Sequence, residues 1–297
     1  MVTRFWSALA SPRVVVLTPA YNESRNIVGM IHGVGSQTVR AEGVLICDNG
    51  STDGTATTAA EACRREGLSC RVIALPRIAS LGKLNINRAY RALAEGLAAT
   101  RPRPDFVATI EADVIMEPTY FEEILKGFSA DPLLGVAGGA LEPLGLLQGG
   151  FPLGRGGVMV WGANRVYSYR CWEELTSMVD LRDLPAWDTD HAVLAAIRGY
   201  HVRADGDAIS RASRSVSTSR GRPKGEADAA HGLPVWWALF KATQLRDPSY
   251  LIKYGVSRLS TRNSELNKAN VWLKALGDVY NRAAVQVLRS TLEGGRS

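Results

Sequence analysis

Apolar residues fall in short continuous runs separated by stretches with helical spacing. Val14–Leu17, Val44–Cys47, Val72–Leu75 and Phe106–Ile110 are such runs, rich in β-branched residues. Runs of this length with no polar alternation predict strands buried on both faces. Between them, Ile27, Val28 and Ile31 share one helix face, starting near Glu23. Ala59, Ala62 and Cys63 share another, after Asp53, and Ile86, Tyr90, Leu93 and Leu97 a third. Strand–helix alternation of this kind predicts an α/β fold: a mostly parallel sheet with helices on both faces. The middle of the chain is less regular. Val136–Ala140 and Val158–Gly162 read as strands, and residues 164–178 as a helix. From Pro234 onward the pattern is helical, with Trp272, Leu276, Val279, Tyr280, Ala283 and Val287 at three- and four-residue steps. That stripe predicts a C-terminal helical appendage docked on the rest of the chain.

Composition narrows the class. The 297 residues are 46% hydrophobic and 22% charged, which excludes bulk disorder. No run approaches the ~18 uninterrupted apolar residues of a spanning helix. Met1–Ala10 is too short an apolar stretch for a secretory signal. Cys47, Cys63, Cys70 and Cys171 form no C-x-x-C pair, so they read as reduced, mostly buried thiols of a cytoplasmic protein. The net charge of +6 is uneven. Residues 235–297 hold 10 Lys/Arg and 4 Asp/Glu, while residues 1–234 are balanced. A basic tail can touch anionic lipid, nucleic acid or an acidic partner; charges spread this widely read first as a solvated helix face.

Polar residues gather where the predicted strands end, the usual ligand position in open α/β sheets. Thr18-Pro19-Ala20-Tyr21-Asn22-Glu23 follows the first strand, and Asp48-Asn49-Gly50-Ser51-Thr52-Asp53-Gly54-Thr55 the second. Asn49-Gly50 and Asp53-Gly54 are turn dipeptides, and Asp53 suits a helix cap. Local geometry leaves Asp48 unexplained; a carboxylate there can accept the imide N–H of uracil or thymine. Glu111-Ala112-Asp113 follows the fourth strand, two carboxylates suited to Mg²⁺ or Mn²⁺. The glycine-rich segment 149–157 holds G-x-G but neither G-x-G-x-x-G nor a Walker sequence, so it reads as a connector or a loop near a substrate. Residues 203–224 carry Arg203, Arg211, Arg214, Arg220, Arg222 and Lys224 against Asp205 and Asp207, and read as a flexible loop.

In this order the segments resemble the family-2 glycosyltransferases, inverting enzymes with the GT-A fold. The resemblance is carried by V-V-V-L-T-P-A-Y-N-E (14–23) and L-I-C-D-N-G-S-T-D-G-T (45–55). L-G-K-L-N-I-N-R-A (81–89), V-A-T-I-E-A-D (107–113) and P-A-W-D-T-D-H-A-V-L-A-A-I-R-G-Y (185–200) continue it. It covers about residues 12–203. It implies that Asp48 meets the nucleobase, with Pro19, Tyr21 and Glu23 lining the base and ribose site and Lys83 near the nucleotide. Asp113 would be the metal ligand and Glu111 its donor-side companion. Asp188 would be the catalytic base, with Asp190 the fallback. Three departures stand out: Glu111 replaces an Asp, Trp187 replaces the Glu before the catalytic Asp, and Asn85 and Asn87 are offset from the usual Asn. The implied domains are a nucleotide-sugar-binding half over 1–112, an acceptor-binding and catalytic half over 113–234, and the appendage over 235–297.

The chemistry implied is transfer of a sugar from a UDP- or dTDP-linked donor to a hydroxyl acceptor, with inversion, Mg²⁺ or Mn²⁺ and an Asp base. Arg211, Arg214, Arg220 and Arg222 would form a loop closing over the diphosphate. Without a spanning helix a soluble acceptor is favoured: a glycan, a small molecule, a protein or a modified nucleic acid. Two other readings compete. A nucleotidyltransferase would want a glycine-rich basic loop after the first strand, where Pro19–Glu23 stands. A non-catalytic sugar-nucleotide-binding module is favoured only by Trp187.

Overall fold

The computed structural model describes residues 12–80, 85–144, 160–184, 187–213, 229, 233–245 and 249–261, with 275, 278, 279, 281, 282 and 285. The chain divides into two compact units, Met1–Arg182 with Ala195–Ser215, and Asp183–Leu194 with Val216–Ser297.

The first unit is built on a sheet whose strands are β1 (Val14–Ala20), β2 (Ala41–Asp48), β3 (Cys70–Ala74), β4 (Phe106–Ile110), β5 (Val114–Met116), β6 (Leu134–Glu142), β7 (Asn164–Ser168) and β8 (His201–Ala212). Their order is β3-β2-β1-β4-β7-β6-β8-β5. β3, β2, β1 and β4 run parallel. β7 is antiparallel to both β4 and β6, β8 is parallel to β6, and β5 is antiparallel to β8. All seven residues of β1 are buried, as its unbroken apolar run predicts.

The helices take opposite sides of the sheet because alternate strand residues do. Val14, Val16, Val44, Ile46, Ala108 and Ile110 share one core with α1 (Ile27–Gly35), α2 (Thr55–Arg65) and α4 (Tyr120–Ala130). Leu45 and Ile73 approach Gly96 of α3 (Asn85–Ala98) instead. α3 buries Tyr90, Leu93 and Leu97, the stripe its spacing predicts.

Four sequence expectations change. Val72–Leu75, read as a strand buried on both faces, is the edge strand β3, which ends at Ala74 and has no fully buried residue because only β2 pairs with it. The segment read as a helix over 164–178 begins as β7, and the helix α5 starts at Tyr169 and ends at Met178. Ser168 sets that boundary: its hydroxyl accepts the Cys171 N–H at 3.3 Å, an N-cap. Residues 160–163 are not a strand, and 158–159 lie outside the described residues. The segment read as a flexible loop from 203 is ordered through residue 212 as part of β8, because it pairs with both β6 and β5. β5 and α4 have no counterpart in the sequence reading. The helical run at 188–198 is observed as α6 (Trp187–Ile197). In the second unit, helices Val235–Leu245 and Ser249–Thr261 follow the helical pattern, while the stripe from Trp272 to Val287 lies largely outside the described residues.

β6 and β8 cross closely at Gly139, where the register is irregular. A Cβ at Gly139 would lie 2.0 Å from the Ala208 carbonyl oxygen and 2.5 Å from Tyr120 Cε2. Backbone cannot yield as a flexible side chain does. Gly139→Ala is therefore expected to destabilise the fold by about 1–3 kcal/mol or more, read as a lower urea midpoint. An unchanged midpoint would refute this close approach.

Candidate active site

The chain leaves β1 for β2 and β3 on one side, then returns to β4 on the other side of β1. The carboxyl end of β1 is thus a topological switch point, where ligands of open α/β sheets bind. Asp48 pairs in register with Ala20 at that end, and Glu111–Asp113 leave the neighbouring β4.

The loops after β1 and β2 are fastened to each other. Asn22 stands at φ 54, a left-handed conformation that Asn tolerates better than most residues. Its N–H donates to Ser51 Oγ at 2.9 Å, and its Oδ1 accepts the Thr52 N–H at 2.9 Å. The Glu23 N–H donates to Thr55 Oγ1 at 2.8 Å, and the Ser24 N–H to Asp53 Oδ2 at 3.0 Å. Asp53 also accepts from Thr55, side chain and backbone. The Thr55 hydroxyl, followed by Ser24, holds the Asp53 carboxyl down to about 2. Asp53 therefore holds the turn together, but it is not the cap expected of it: the N-cap of α2 is Gly54, which makes no side-chain cap bond.

Asp48 is buried, and only its Oδ1 has a partner among the described residues, the Ser51 N–H at 3.0 Å. Oδ2 has no hydrogen-bond partner among the described residues. Burial, followed by the Asp48 charge, pushes the adjacent Cys47 thiol up to about 12, so that cysteine is inert as a nucleophile. Tyr21 is exposed, and the Arg77 guanidinium stacks on its ring at 3.6 Å. Gly50 makes room for this segment: its φ is 78°, and a Cβ there would lie 2.6 Å from the Arg77 nitrogen. Asn85, also buried, fixes the chain after β3. Its Nδ2 donates to the Ile78 carbonyl at 2.7 Å and its Oδ1 accepts the Ile78 N–H at 3.2 Å. Asn49 Nδ2 donates to the Asn85 carbonyl at 2.9 Å, tying this segment to the Asp48 loop.

At the end of β4, Glu111 and Asp113 are both partly exposed. The Glu111 N–H donates to the Ala163 carbonyl, and the Val114 N–H to the Glu111 carbonyl, both at 3.0 Å. Ser213 donates twice to the Asp113 carbonyl oxygen, through its N–H at 2.7 Å and its hydroxyl at 2.8 Å. That hydroxyl stands 3.4 Å from Asn26 Oδ1, and Asn26 Nδ2 donates to Glu23 Oε2 at 2.7 Å. One polar chain thus links the β1 loop to the metal-candidate triplet. Glu23 spends part of its carboxylate on this support.

Among the described residues no three His, Cys, Asp or Glu side chains cluster as a self-sufficient metal cage. Two partly exposed carboxylates nevertheless fit Mg²⁺ or Mn²⁺, since Mg²⁺ is commonly held by one or two carboxylates together with substrate phosphates and water. Glu111 and Asp113 are the residues that would hold it.

Arg211 is placed differently from a diphosphate loop. It lies in β8, with Nη2 3.0 Å from Glu117 and Nε 2.9 Å from Glu142. Lys83, Arg214, Arg220 and Arg222 lie outside the described residues. Pro19 is buried at the end of β1. In the second unit, Asp188 is half-buried while Asp190 is fully buried. Trp187 is buried too, and packs edge-on against His191 with ring centroids 5.8 Å apart. Arg77, Asn26 and Ser213 are absent from the sequence reading, and Asn85 has no role assigned in it. Only Asn85 had a signal there, as one of the two asparagines after Lys83.

Residues 15–143 match the family model described as Glycosyl transferase family 2. No curated protein matches the sequence. The mannosyltransferase PcManGT from Pyrobaculum calidifontis, in complex with GDP-Man and Mn2+, superposes with a TM-score of 0.56 at 19% identity, over 97% of this chain and 81% of that one. Glucosyl-3-phosphoglycerate synthase from Mycobacterium tuberculosis, with Mg2+ and uridine-diphosphate, superposes with a TM-score of 0.52 at 16% identity, over 77% of this chain and 82% of that one. TarS of S. aureus gives 0.50 at 16% identity over 68% of this chain, which spans 37% of TarS and 60% of its 1–349 segment. At these identities the likeness is one of fold, and the fold is GT-A.

Proposed function

We propose that this chain, whose residues 15–143 match the glycosyl transferase family 2 model, moves a sugar from a nucleoside-diphosphate donor to a hydroxyl acceptor with inversion. The observation that carries the donor half is Asp48: a buried carboxylate at the switch point, one oxygen pinned by Ser51 and the other open among the described residues. That oxygen accepts the imide N–H of uracil or thymine. Guanine also offers a ring N–H, so the base preference is a matter for experiment. Tyr21, backed by Arg77, gives a flat surface beside the base. Glu111 and Asp113 would hold Mg²⁺ or Mn²⁺, which would supply positive charge to offset that of the diphosphate oxygens.

Transfer balances simply. The acceptor oxygen forms a bond to the anomeric carbon from the face opposite the diphosphate. The bond from that carbon to the diphosphate oxygen breaks, and its electron pair leaves with the nucleoside diphosphate. The acceptor proton goes to the Asp188 carboxylate, a role whose general-base form contributes about 10²–10⁴ in rate. Half-buried Asp188 keeps the solvent access such a role needs, which buried Asp190 lacks. The acceptor is a hydroxyl compound, whether glycan, small molecule, protein or modified nucleic acid.

The test is a thermal-shift screen of UDP-, dTDP- and GDP-sugars with Mn²⁺, followed by assay of nucleoside diphosphate release. Stabilisation by none of them would refute the donor assignment. Asp48→Ala is expected to weaken UDP binding by more than ~1 kcal/mol, about fivefold, the scale of a charge-assisted hydrogen bond. Unchanged calorimetric affinity would remove Asp48 from the site.

A further inference from the structure

In the second unit, helices Val235–Leu245 and Ser249–Thr261 turn small and aromatic residues toward a shared core of Ala238, Ala242, Tyr250 and Tyr254. The Tyr254 hydroxyl donates to the Leu233 carbonyl and locks that side. Other faces of the same helices are apolar and open. Val235 is 59% exposed, Trp236 38% and Leu239 52% on the first helix; Ile252 is 68% and Val256 64% exposed on the second. Val235 with Leu239, and Ile252 with Val256, are four-residue repeats, so each pair forms one stripe. Exposed Lys253 lies beside Ile252. Large apolar side chains grouped in this way, unlike scattered ones, mark an interaction site.

Charge decides what covers these faces. The whole net charge of +6 belongs to residues 235–297, the segment that contains both helices. A nucleic acid would answer the charge but gains little from Val, Leu and Ile. A second copy of the chain would answer the apolar stripes but would bring two basic segments together. An anionic bilayer surface answers both, taking the apolar residues below its headgroups and the Lys and Arg residues among them. No helix among the described residues is long and apolar enough to cross a membrane, so binding would be in the plane of the surface.

We propose that the exposed apolar faces of helices Val235–Leu245 and Ser249–Thr261 form a docking site for an anionic lipid bilayer surface. The full chain is sedimented with vesicles of phosphatidylcholine alone and of phosphatidylcholine with phosphatidylserine. Binding is expected to the anionic vesicles only, and to weaken with added salt. The double variant Ile252→Ser/Val256→Ser is expected to bind about tenfold more weakly, with a parental circular-dichroism melt. Lys253→Glu, which leaves the stripes intact, is expected to lower binding by about fivefold or more. The proposal is overturned by failure to bind either vesicle, or by equal binding of parent and apolar variant. It is also overturned if the stripes instead support a dimer that Ile252→Ser/Val256→Ser dissolves, or if the chain binds DNA with steep salt dependence and ignores vesicles.

Discussion

Asp113→Ala is expected to abolish transfer and to remove the metal-dependent part of donor binding. The sign of the electrostatics makes the test sharp. A nucleoside diphosphate carries two to three negative charges, and Glu111 and Asp113 add two more at the end of β4. Without a cation these charges repel, and a divalent ion held by the two carboxylates would offset that repulsion. Three measurements by calorimetry follow. With Mn²⁺, UDP binds the parent tightly and Asp113→Ala weakly. In chelator, the variant binds UDP at least as well as the parent, because one repelling charge is gone. Mn²⁺ alone binds the parent and loses affinity in the variant. Glu111→Gln, which keeps the shape and one oxygen donor, has the smaller effect. Full turnover in Asp113→Ala, or in excess chelator, would overturn the metal assignment. Ser213→Ala separates support from ligation: the hydroxyl bond to the Asp113 carbonyl is lost while the backbone bond at 2.7 Å survives. Its cost should be a modest loss of donor affinity.

The second large effect concerns the base. Asp188→Asn should cut turnover about 10²-fold or more while leaving donor affinity within a few-fold. The amide keeps the size of the carboxylate but cannot take the acceptor's proton. Asp190→Asn should change turnover far less and stability more. Residues two apart on a helix point about 200° apart, and in α6 the two carboxylates differ accordingly, one half-buried and one fully buried. A buried carboxylate is already engaged with its own surroundings, so its replacement is felt in the melting temperature. If purified, folded variants show the reverse ranking, the proton passes to Asp190 and the motif is aligned two residues out of place.

Legibility in the sequence followed burial chemistry. β1, β4 and the Val44–Cys47 run of β2 are buried on both faces, so they needed no tertiary information to be read. The carboxylates at their ends stood out by position, because turn chemistry accounted for Asp53 but not for Asp48, to which the structure gives one local partner, the Ser51 N–H. Helices α1, α2 and α3 were readable for the same reason, each with a single apolar stripe.

What the sequence by itself determined is therefore the parallel half of the sheet and the residue types at its carboxyl edge. Only the tertiary structure decided the other half. β7 carries Asn164 and Arg165, both fully buried, which no apolar pattern announces as a sheet interior. Asn164 is tolerated because its Nδ2 donates to Ser210 Oγ at 2.8 Å and to the Gly139 carbonyl at 3.2 Å. Arg165 is tolerated because its guanidinium donates to the Val160 carbonyl at 2.6 Å and the Trp161 carbonyl at 3.1 Å. β8 likewise became a strand where its Ser and Arg content suggested a loop, since β6 and β5, distant in sequence, pair with it. Apolar burial is encoded one residue at a time, but a polar group can be buried only when partners from elsewhere in the chain satisfy it. Those partners exist only once the fold has formed.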